Sequence, residues 1–435
     1  MNVLTDRGAQ FVMAATENDY DEAIIRLERA ALTLDCSPNP DAAHQAALLA
    51  AATCAIRMFR GGVFMTPNVT GQLTIGQERP QTIRRRLETL GVRTINPPDH
   101  AVRLRVGACD TNVDADLHAT CSGWIAKVDP RACLHPTAPS NVLTGVAAGG
   151  LAIAELFRKA VLDDVLACKR SQQMDVWGNA GHSDPEIRRL PQALWFVGLG
   201  NLGQASLFTL ALLPWRDPAL TTLLLNDADV CGVENLAVQV LTSHSSIGQP
   251  KARAAAAWAE ARGFRTIVSE RRFSAATKPQ QGEPRIALVG VDNLAARRCV
   301  AEAGFDLVVD AGLGATGAEA FDIRLHVFPG TQTAASVWPE QSKSEAAALG
   351  AAYQRLIAQG RLDACGAMTI ADHAVGVPCT AIVAAALQIA QMCRALASGH
   401  CLDRIDLSLA DLRHAAVRPM PAHLPATPPS FSATD

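Results

Sequence analysis

Three glycines in the run V-G-L-G-N-L-G, Gly198, Gly200 and Gly203, follow a short apolar stretch and open a helical one. Glycines at those spacings let a chain turn tightly from strand to helix. They also let a phosphate approach backbone N–H groups at the positive end of that helix. An acidic residue, Asp227, ends the next apolar run, where a ribose hydroxyl would be held. The set says nucleotide and leaves its kind open, with a nicotinamide dehydrogenase as the first competitor.

The residues that follow separate the two. They read N-D-A-D-V-C-G-V-E-N-L-A-V-Q, then S-I-G-Q-P-K-A, and later A-L-V-G-V-D-N. Hydride transfer has no use for such a set of acids, amides and a lysine, whereas adenylation does. ATP travels with a divalent cation, so carboxylates must converge near its phosphates. Attack of a carboxylate on the α-phosphate builds negative charge that fixed donors and a cation must meet. Asp229 and Asp292 can supply ligands to Mg2+, and Asn235, Gln239 and Lys251 can supply donors.

As an ordered set, Gly198 to Asn293 resembles the ThiF/MoeB/HesA superfamily, which includes the ubiquitin-activating enzymes. The resemblance implies that Asp227 binds ribose, that Asp229 and Asp292 handle magnesium, and that Asn235, Gln239 and Lys251 contact the ATP phosphates or their surroundings. It implies adenylation of the C-terminal carboxylate of a ubiquitin-like protein in a bacterial conjugation system. Transfer to a cysteine and then to a conjugating enzyme would follow. Cys365, in D-A-C-G-A-M near Asp372 and His373, is the first choice for the acceptor, and Cys379, just after Pro378, is the second. With Lys251 and Asp292, Cys365 completes the expected catalytic set. One departure stands out: the family's Arg before the Gln is Val238 here. Its role then falls to a substitute, and Arg60 or the cluster Arg84 to Arg86 stand as sources in the first half. The competing readings are an enzyme that adenylates a sulfur carrier or a peptide, and a degenerate scaffold that binds a ubiquitin-like partner without turnover.

Elements that could position these residues follow from periodicity. In the second half, Ala193–Val197, Thr222–Leu225, Ile286–Val289 and Leu307–Val309 read as strands alternating with helices over Gln204–Leu213 and Gln249–Arg262. That alternation predicts an α/β fold with a doubly wound parallel sheet. The first half reads as helices over Asn18–Leu34, Ala42–Arg60 and Val142–Leu166, with strands at Val102–Val106 and Trp124–Val128. Thr144, Leu151, Ile153 and Arg158 recur as Thr380, Leu387, Ile389 and Arg394 at a constant offset, which points to two related halves packed as a pseudo-dimer. The run V-G-A-C-D-T-N at 106–112 echoes A-L-V-G-V-D-N without a glycine loop before it. The first half thus resembles the inactive half of two-domain activating enzymes. The expected division is 1–188 for the inactive half and 189–420 for the nucleotide half with a crossover near 329–362. Residues 421–435 form a polar, Pro-rich tail expected to be mobile or to lie along the surface.

Composition closes off other classes. The formal charge of -3 over 435 residues leaves no electrostatic footprint for nucleic acid. The uncharged stretch Ala374–Cys393 is long enough to span a membrane, but its alanines, Thr380, Gln388 and Gln391 suit a buried helix better. The start of the chain lacks the pattern of a signal peptide. The 12 cysteines show no C-x-x-C pair, which fits small core residues in a reducing cytoplasm rather than a disulfide scaffold. Pairing of the chain with itself to form a homodimer stays open.

Overall fold

The structure is a computed structural model that describes residues 6–76, 80–108, 114–131, 138–178, 184, 186–314, 316–339, 351–359, 376–419 and 431–433. The first half runs α1 (Arg7–Thr16), α2 (Tyr20–Arg29), β1 (Ala31–Cys36), α3 (Ala42–Met58), β2 (Gly62–Met65), α4 (Ile83–Leu90), β3 (Val102–Val106), β4 (Leu117–Ser122), β5 (Ile125–Asp129), α5 (Val142–Val161) and β6 (Gln172–Asp175). The second runs β7 (Arg189–Pro191), β8 (Ala193–Val197), α6 (Asn201–Ala211), β9 (Thr222–Asn226), α7 (Lys251–Glu260), β10 (Arg265–Ser269), β11 (Ile286–Val289), α8 (Leu294–Ala301), β12 (Leu307–Leu313) and β13 (Asp322–Phe328). It closes with α9 (Ala334–Val337), α10 (Ala351–Ala358), α11 (Pro378–Ser398), β14 (Leu402–Ser408), β15 (Ala416–Pro419) and β16 (Phe431–Ala433).

Each half carries one mixed sheet built on the same plan. The first orders its strands β2-β1-β3-β4-β5-β6 and the second β10-β9-β8-β11-β12-β13-β14-β15. The pairs β1·β2, β1·β3 and β3·β4 are parallel, then β4·β5 and β5·β6 turn antiparallel. In the second half β8·β9, β8·β11 and β11·β12 are parallel, and β12·β13 and β13·β14 antiparallel. The three C-terminal residues of β16 pair with β7.

The halves meet helix to helix. Helices α3 and α5 cover one face of the first sheet, α6 and α11 cover one face of the second, and α11 packs on α5 and α3. One apolar core runs through these layers from Leu32 and Leu104 to Phe196 and Leu225. Close approach makes this possible: a Cβ on Gly149 would overlap the Ala47 carbonyl of α3, and one on Gly150 would lie 2.7 Å from Val383 of α11. The outer faces differ. In the second half Trp195, Val197, Leu224 and Val289 form a further apolar cluster with α8 and α9. In the first half the matching face carries Thr33, Asp35, Arg105, His118 and Thr120, with Arg105 paired to Asp35.

Several expected boundaries shift. The helix expected over Asn18–Leu34 stops at Arg29, and Leu32 and Leu34 lie in strand β1, between β2 and β3. Apolar residues at positions 32 and 34 suit either period, and pairing with β2 and β3 decides for the strand. The helix over Val142–Leu166 ends at Val161, followed by Asp163 in a left-handed conformation at φ 51°. The strand expected at Leu307–Val309 extends to Leu313, where it pairs with β13. Helix α11 is the one described helix long and apolar enough to cross a membrane, and 94% of its apolar window is buried inside the protein.

The duplicated positions occupy matching places. Thr144 Oγ1 donates to the Gly123 carbonyl in the β4–β5 turn, and Thr380 Oγ1 donates to the Ala320 carbonyl between β12 and β13. The offset seen in the sequence therefore marks a pseudo-two-fold relation between the halves.

Candidate nucleotide site

The site forms where β8 ends. Gly198 takes φ +88°, a conformation that favours glycine. Its N–H donates to the Asn226 carbonyl at 2.9 Å, which ties the loop to β9. Gly200 is the N-cap of α6 and offers no side-chain cap, so among the described residues the first N–H groups of that helix are left without a capping side chain. A Cβ on Gly200 would meet nothing within 4 Å, whereas one on Gly203 would overlap the Gly198 carbonyl oxygen. The loop is thus tight on its inner side and open on the other. A phosphate fits that shape, because open N–H groups and the helix dipole face the same space.

Asp227 braces the loop. Its carboxylate accepts from Leu199 N at 2.6 Å and from Asp229 N at 2.8 Å. Burial pushes its carboxyl above the usual carboxylate range, while those two N–H groups and Lys251 pull it back. Lys251 opens α7. Its N–H donates to the Asp229 carbonyl at 2.9 Å, and its Nζ lies 3.0 Å from Asp229 Oδ2. The lysine side chain is 11% exposed and that of Asp229 57% exposed. The cation is therefore held by the wall of the site, with its partner facing solvent.

Asp292 is exposed and follows Gly290 and Val291 at the end of β11. That strand end abuts the loop: a Cβ on Gly198 would lie 2.7 Å from Val291 Cγ1. Arg297 Nε donates to the Val291 carbonyl at 2.8 Å, and Asn293 caps α8 by accepting from Ala296 N. The structure thus gathers Gly198, Gly200, Gly203, Asp227, Asp229 and Lys251 and sets Asp292 on the adjoining strand end.

Asn235 and Gln239 lie deeper. Asn235 Oδ1 accepts from Gly232 N at 2.9 Å, inside a tight turn. Gln239 Oε1 accepts from Gln204 Nε2 at 2.8 Å and from Thr242 Oγ1 at 2.9 Å. Both are 3% exposed, and they shape the segment behind the loop.

Of the sources for a substitute arginine, two are engaged within the first half. Arg60 pairs with Asp6 at 2.6 Å, and Arg84 donates to the carbonyls of Thr66 and Pro67. Instead Arg57 of α3 and Arg7 of α1 line a cavity of about 20 Å³ with Ala237, Val238 and Gly376. Burial lowers the Arg57 guanidinium to about 10. Neither residue stands out in the sequence, because nothing local marks which arginine will face the other half. Asn201 was also missed. It is the first residue of α6, and its buried amide N and O have no partner among the described residues. Its only sequence signal is an amide between the second and third glycines.

Cys365, Asp372 and His373 lie outside the described residues. Cys379 is fully buried at the start of α11, and burial pushes its thiol up to about 12. A thiol so placed is a core residue rather than an accessible nucleophile.

Comparisons with known proteins match this architecture half by half. A family described as the BilD N-terminal domain matches residues 29–176, and the BilD C-terminal domain matches residues 190–399. The bacterial E1-like protein BilD of Collimonas sp. (strain OK412) is 32% identical over 456 aligned residues, covering 97% of this chain and 98% of that protein. Among solved structures, E. coli MccB superposes with a TM-score of 0.35 at 16% identity, over 53% of this chain and 64% of that one. PaaA superposes with a TM-score of 0.30 at 15% identity, over 52% of this chain and 64% of that one. The chain thus spans less than two thirds of the MccB and PaaA chains. With both halves matched in order and a relative aligned nearly end to end, the chain belongs to the BilD family of bacterial E1-like proteins.

Proposed function

We propose that this chain uses magnesium-ATP to adenylate the C-terminal carboxylate of a ubiquitin-like protein. The observation that carries the reading is the convergence of Asp227, Asp229 and Lys251 on the open N-terminus of α6, within a chain of E1-like ancestry. The phosphates would lie against the N–H groups of Gly200 to Leu202, and Asp227 would accept from a ribose hydroxyl. The carboxylate oxygen attacks the α-phosphorus, the bond to the bridging oxygen breaks, and pyrophosphate leaves. Lys251 meets the charge that develops on the phosphoryl oxygens.

Among the described residues no group of three or more His, Cys, Asp or Glu side chains could hold a metal. That is compatible with magnesium on a nucleotide, which takes one or two carboxylates and fills its other positions with phosphate oxygens and water. The exposed carboxylates of Asp229 and Asp292 suit such a partial shell, and the ion would offset phosphate charge. Cys365 would then attack the acyl-adenylate carbonyl, releasing AMP and leaving a thioester for a conjugating enzyme.

The test is ATP–pyrophosphate exchange with ubiquitin-like and peptide carboxylates offered separately. Exchange dependent on a ubiquitin-like tail, lost in a folded Asp292→Ala variant, supports the reading. No exchange with any carboxylate, or full exchange in Asp292→Ala, sinks the reaction or the metal assignment.

A further inference from the structure

The half that lacks a glycine loop is wired to the half that has one. Arg57 lies in the last turn of α3, and its guanidinium crosses to the other half. Its Nε donates to the Gln239 carbonyl at 2.9 Å and its Nη2 to the Val240 carbonyl at 2.6 Å. Its Nη1 donates to the Thr53 carbonyl of its own helix at 2.9 Å. No carboxylate pairs with it among the described residues. From there the bonds continue. Gln204 Nε2 donates to Gln239 Oε1 at 2.8 Å and to the Leu199 carbonyl at 3.1 Å. Gln204 Oε1 accepts from Leu241 N at 2.9 Å. Leu199 stands between the first two glycines of the loop, and its N–H is the one that Asp227 holds.

The chemistry of the clamp is specific. A guanidinium presents several N–H groups in one rigid plane, so it fixes the direction of two successive carbonyls together, whereas the donors of an ammonium rotate and set no such plane. A buried cation without a counter-ion is costly, and an apolar side chain of similar length would fill the same space without that cost. Packing alone therefore does not account for an arginine here. The segment it grips, Gln239–Val240, directly follows Val238, where the resembling family carries its own arginine.

We propose that Arg57 is a positioning residue through which the first half sets the geometry of the nucleotide loop, acting by way of Gln239 and Gln204 on Leu199. This rests on the nucleotide reading above. The positive charge sits behind the segment and the loop N–H groups are aimed by the relay, so the chain needs its inactive half for tight nucleotide binding.

The experiment uses the full chain as wild type, Arg57→Met, Arg57→Lys, Gln204→Met and the Arg57→Met/Gln204→Met double variant. Magnesium-ATP affinity is measured by calorimetry, and amide hydrogen exchange is followed at Leu199 and Leu241. Arg57→Met weakens magnesium-ATP binding about tenfold, the scale of lost charge-assisted hydrogen bonds. It also speeds exchange at both amides and raises KM for ATP more than it lowers kcat. Arg57→Lys recovers part of the affinity. The double variant is little worse than the worse single one, because both act along one path. Wild-type affinity and unchanged Leu199 exchange in a folded Arg57→Met, or fully additive losses, overturn the proposal. Should Arg57→Met fail to fold, Arg57→Lys and Gln204→Met decide it, and unchanged Leu199 exchange in both overturns it. If wild type itself ignores magnesium-ATP, the nucleotide reading fails, and the exchange rates alone still judge the relay.

Discussion

Arg158 and Arg394 exchange contacts across the two halves: Arg158 Nη1 donates to the Ala410 carbonyl just past β14, and Arg394 Nη1 donates to the Trp177 carbonyl just past β6. The distances are 3.2 and 2.8 Å. Strand β14 stands in the second sheet where β6 stands in the first, so the two arginines are partners under the pseudo-two-fold. A symmetric dimer interface pairs residues in this reciprocal way, and here one chain contains both sides.

The two arginines differ in what else they hold, which sets the first expectation. Arg158 also pairs with the buried Glu155 and with Asp164, whereas the only Arg394 bonds among those described go to carbonyls of 177 and 178. Removing Arg158 takes the paired cation from the Glu155 carboxylate, which is 1% exposed and keeps, among the described residues, only the N–H groups of Cys168 and Gln172. Arg158→Ala is expected to lower unfolding free energy by about 3–5 kcal/mol, and Arg394→Ala by clearly less. Urea unfolding of both variants checks the difference.

Gly203→Ala tests the loop itself. The added methyl overlaps the Gly198 carbonyl, so the turn must open. A loss of about 1–3 kcal/mol in stability is expected. Nucleotide affinity should fall further than stability does, since the phosphate-facing N–H groups are displaced. Calorimetry and thermal unfolding on one preparation separate the two effects.

Lys251→Ala should show the opposite balance. Its partner Asp229 is 57% exposed, so the pair adds less than about 1 kcal/mol to stability. A fixed cation facing developing charge is worth far more in the reaction, about 100- to 1000-fold in rate. A near-normal melting temperature with pyrophosphate exchange lost is the expected pair of results.

Asp310 gives a pH signature. It is fully enclosed on β12, and burial raises its carboxyl to about 6 against the pull of Arg297. Below the ordinary carboxylate value both folded and unfolded chains hold the proton, and this residue costs nothing. As pH rises through 4 to 6 the unfolded chain releases the proton first, so the folded state loses stability over that window. The contribution reaches about 3 kcal/mol by pH 7. In Asp310→Asn that dependence is absent, and the gap in unfolding free energy between variant and wild type should shift by this amount between pH 4 and 7.

Thiol accessibility separates the cysteines. Cys54, Cys379 and Cys393 are all buried, and burial raises each thiol. None should be alkylated in the native protein, and each should react once urea unfolds it. Cys365→Ala is expected to abolish a thiol-sensitive adduct that survives Cys379→Ala; an adduct persisting without Cys365 would move the nucleophile elsewhere.

Local sequence carried the glycine loop and the strands around it. The spacing of Gly198, Gly200 and Gly203, the acid at 227 and the runs Ala193–Val197 and Ile286–Val289 were legible because a phosphate loop and a strand buried on both faces are each defined within a few residues. The pseudo-dimer was legible too, since Thr144 and Thr380 keep a constant offset. What local pattern could not reach was the identity of each side chain's partner. Nothing near Arg57 marks it as the arginine that crosses the interface, and Arg60, three residues on, faces Asp6 instead. The turn of α3 against the second half decides between them. The same holds for Leu32 and Leu34, whose spacing fits a helix until neighbouring strands supply hydrogen bonds, and for Cys379, which reads as a candidate acceptor beside Pro378 until α3 and α5 pack against it. Short-range geometry wrote the loop, and long-range burial chose its neighbours, because a side chain's environment is set by segments far away in the chain, as Arg57 and Gln239 show across 182 residues.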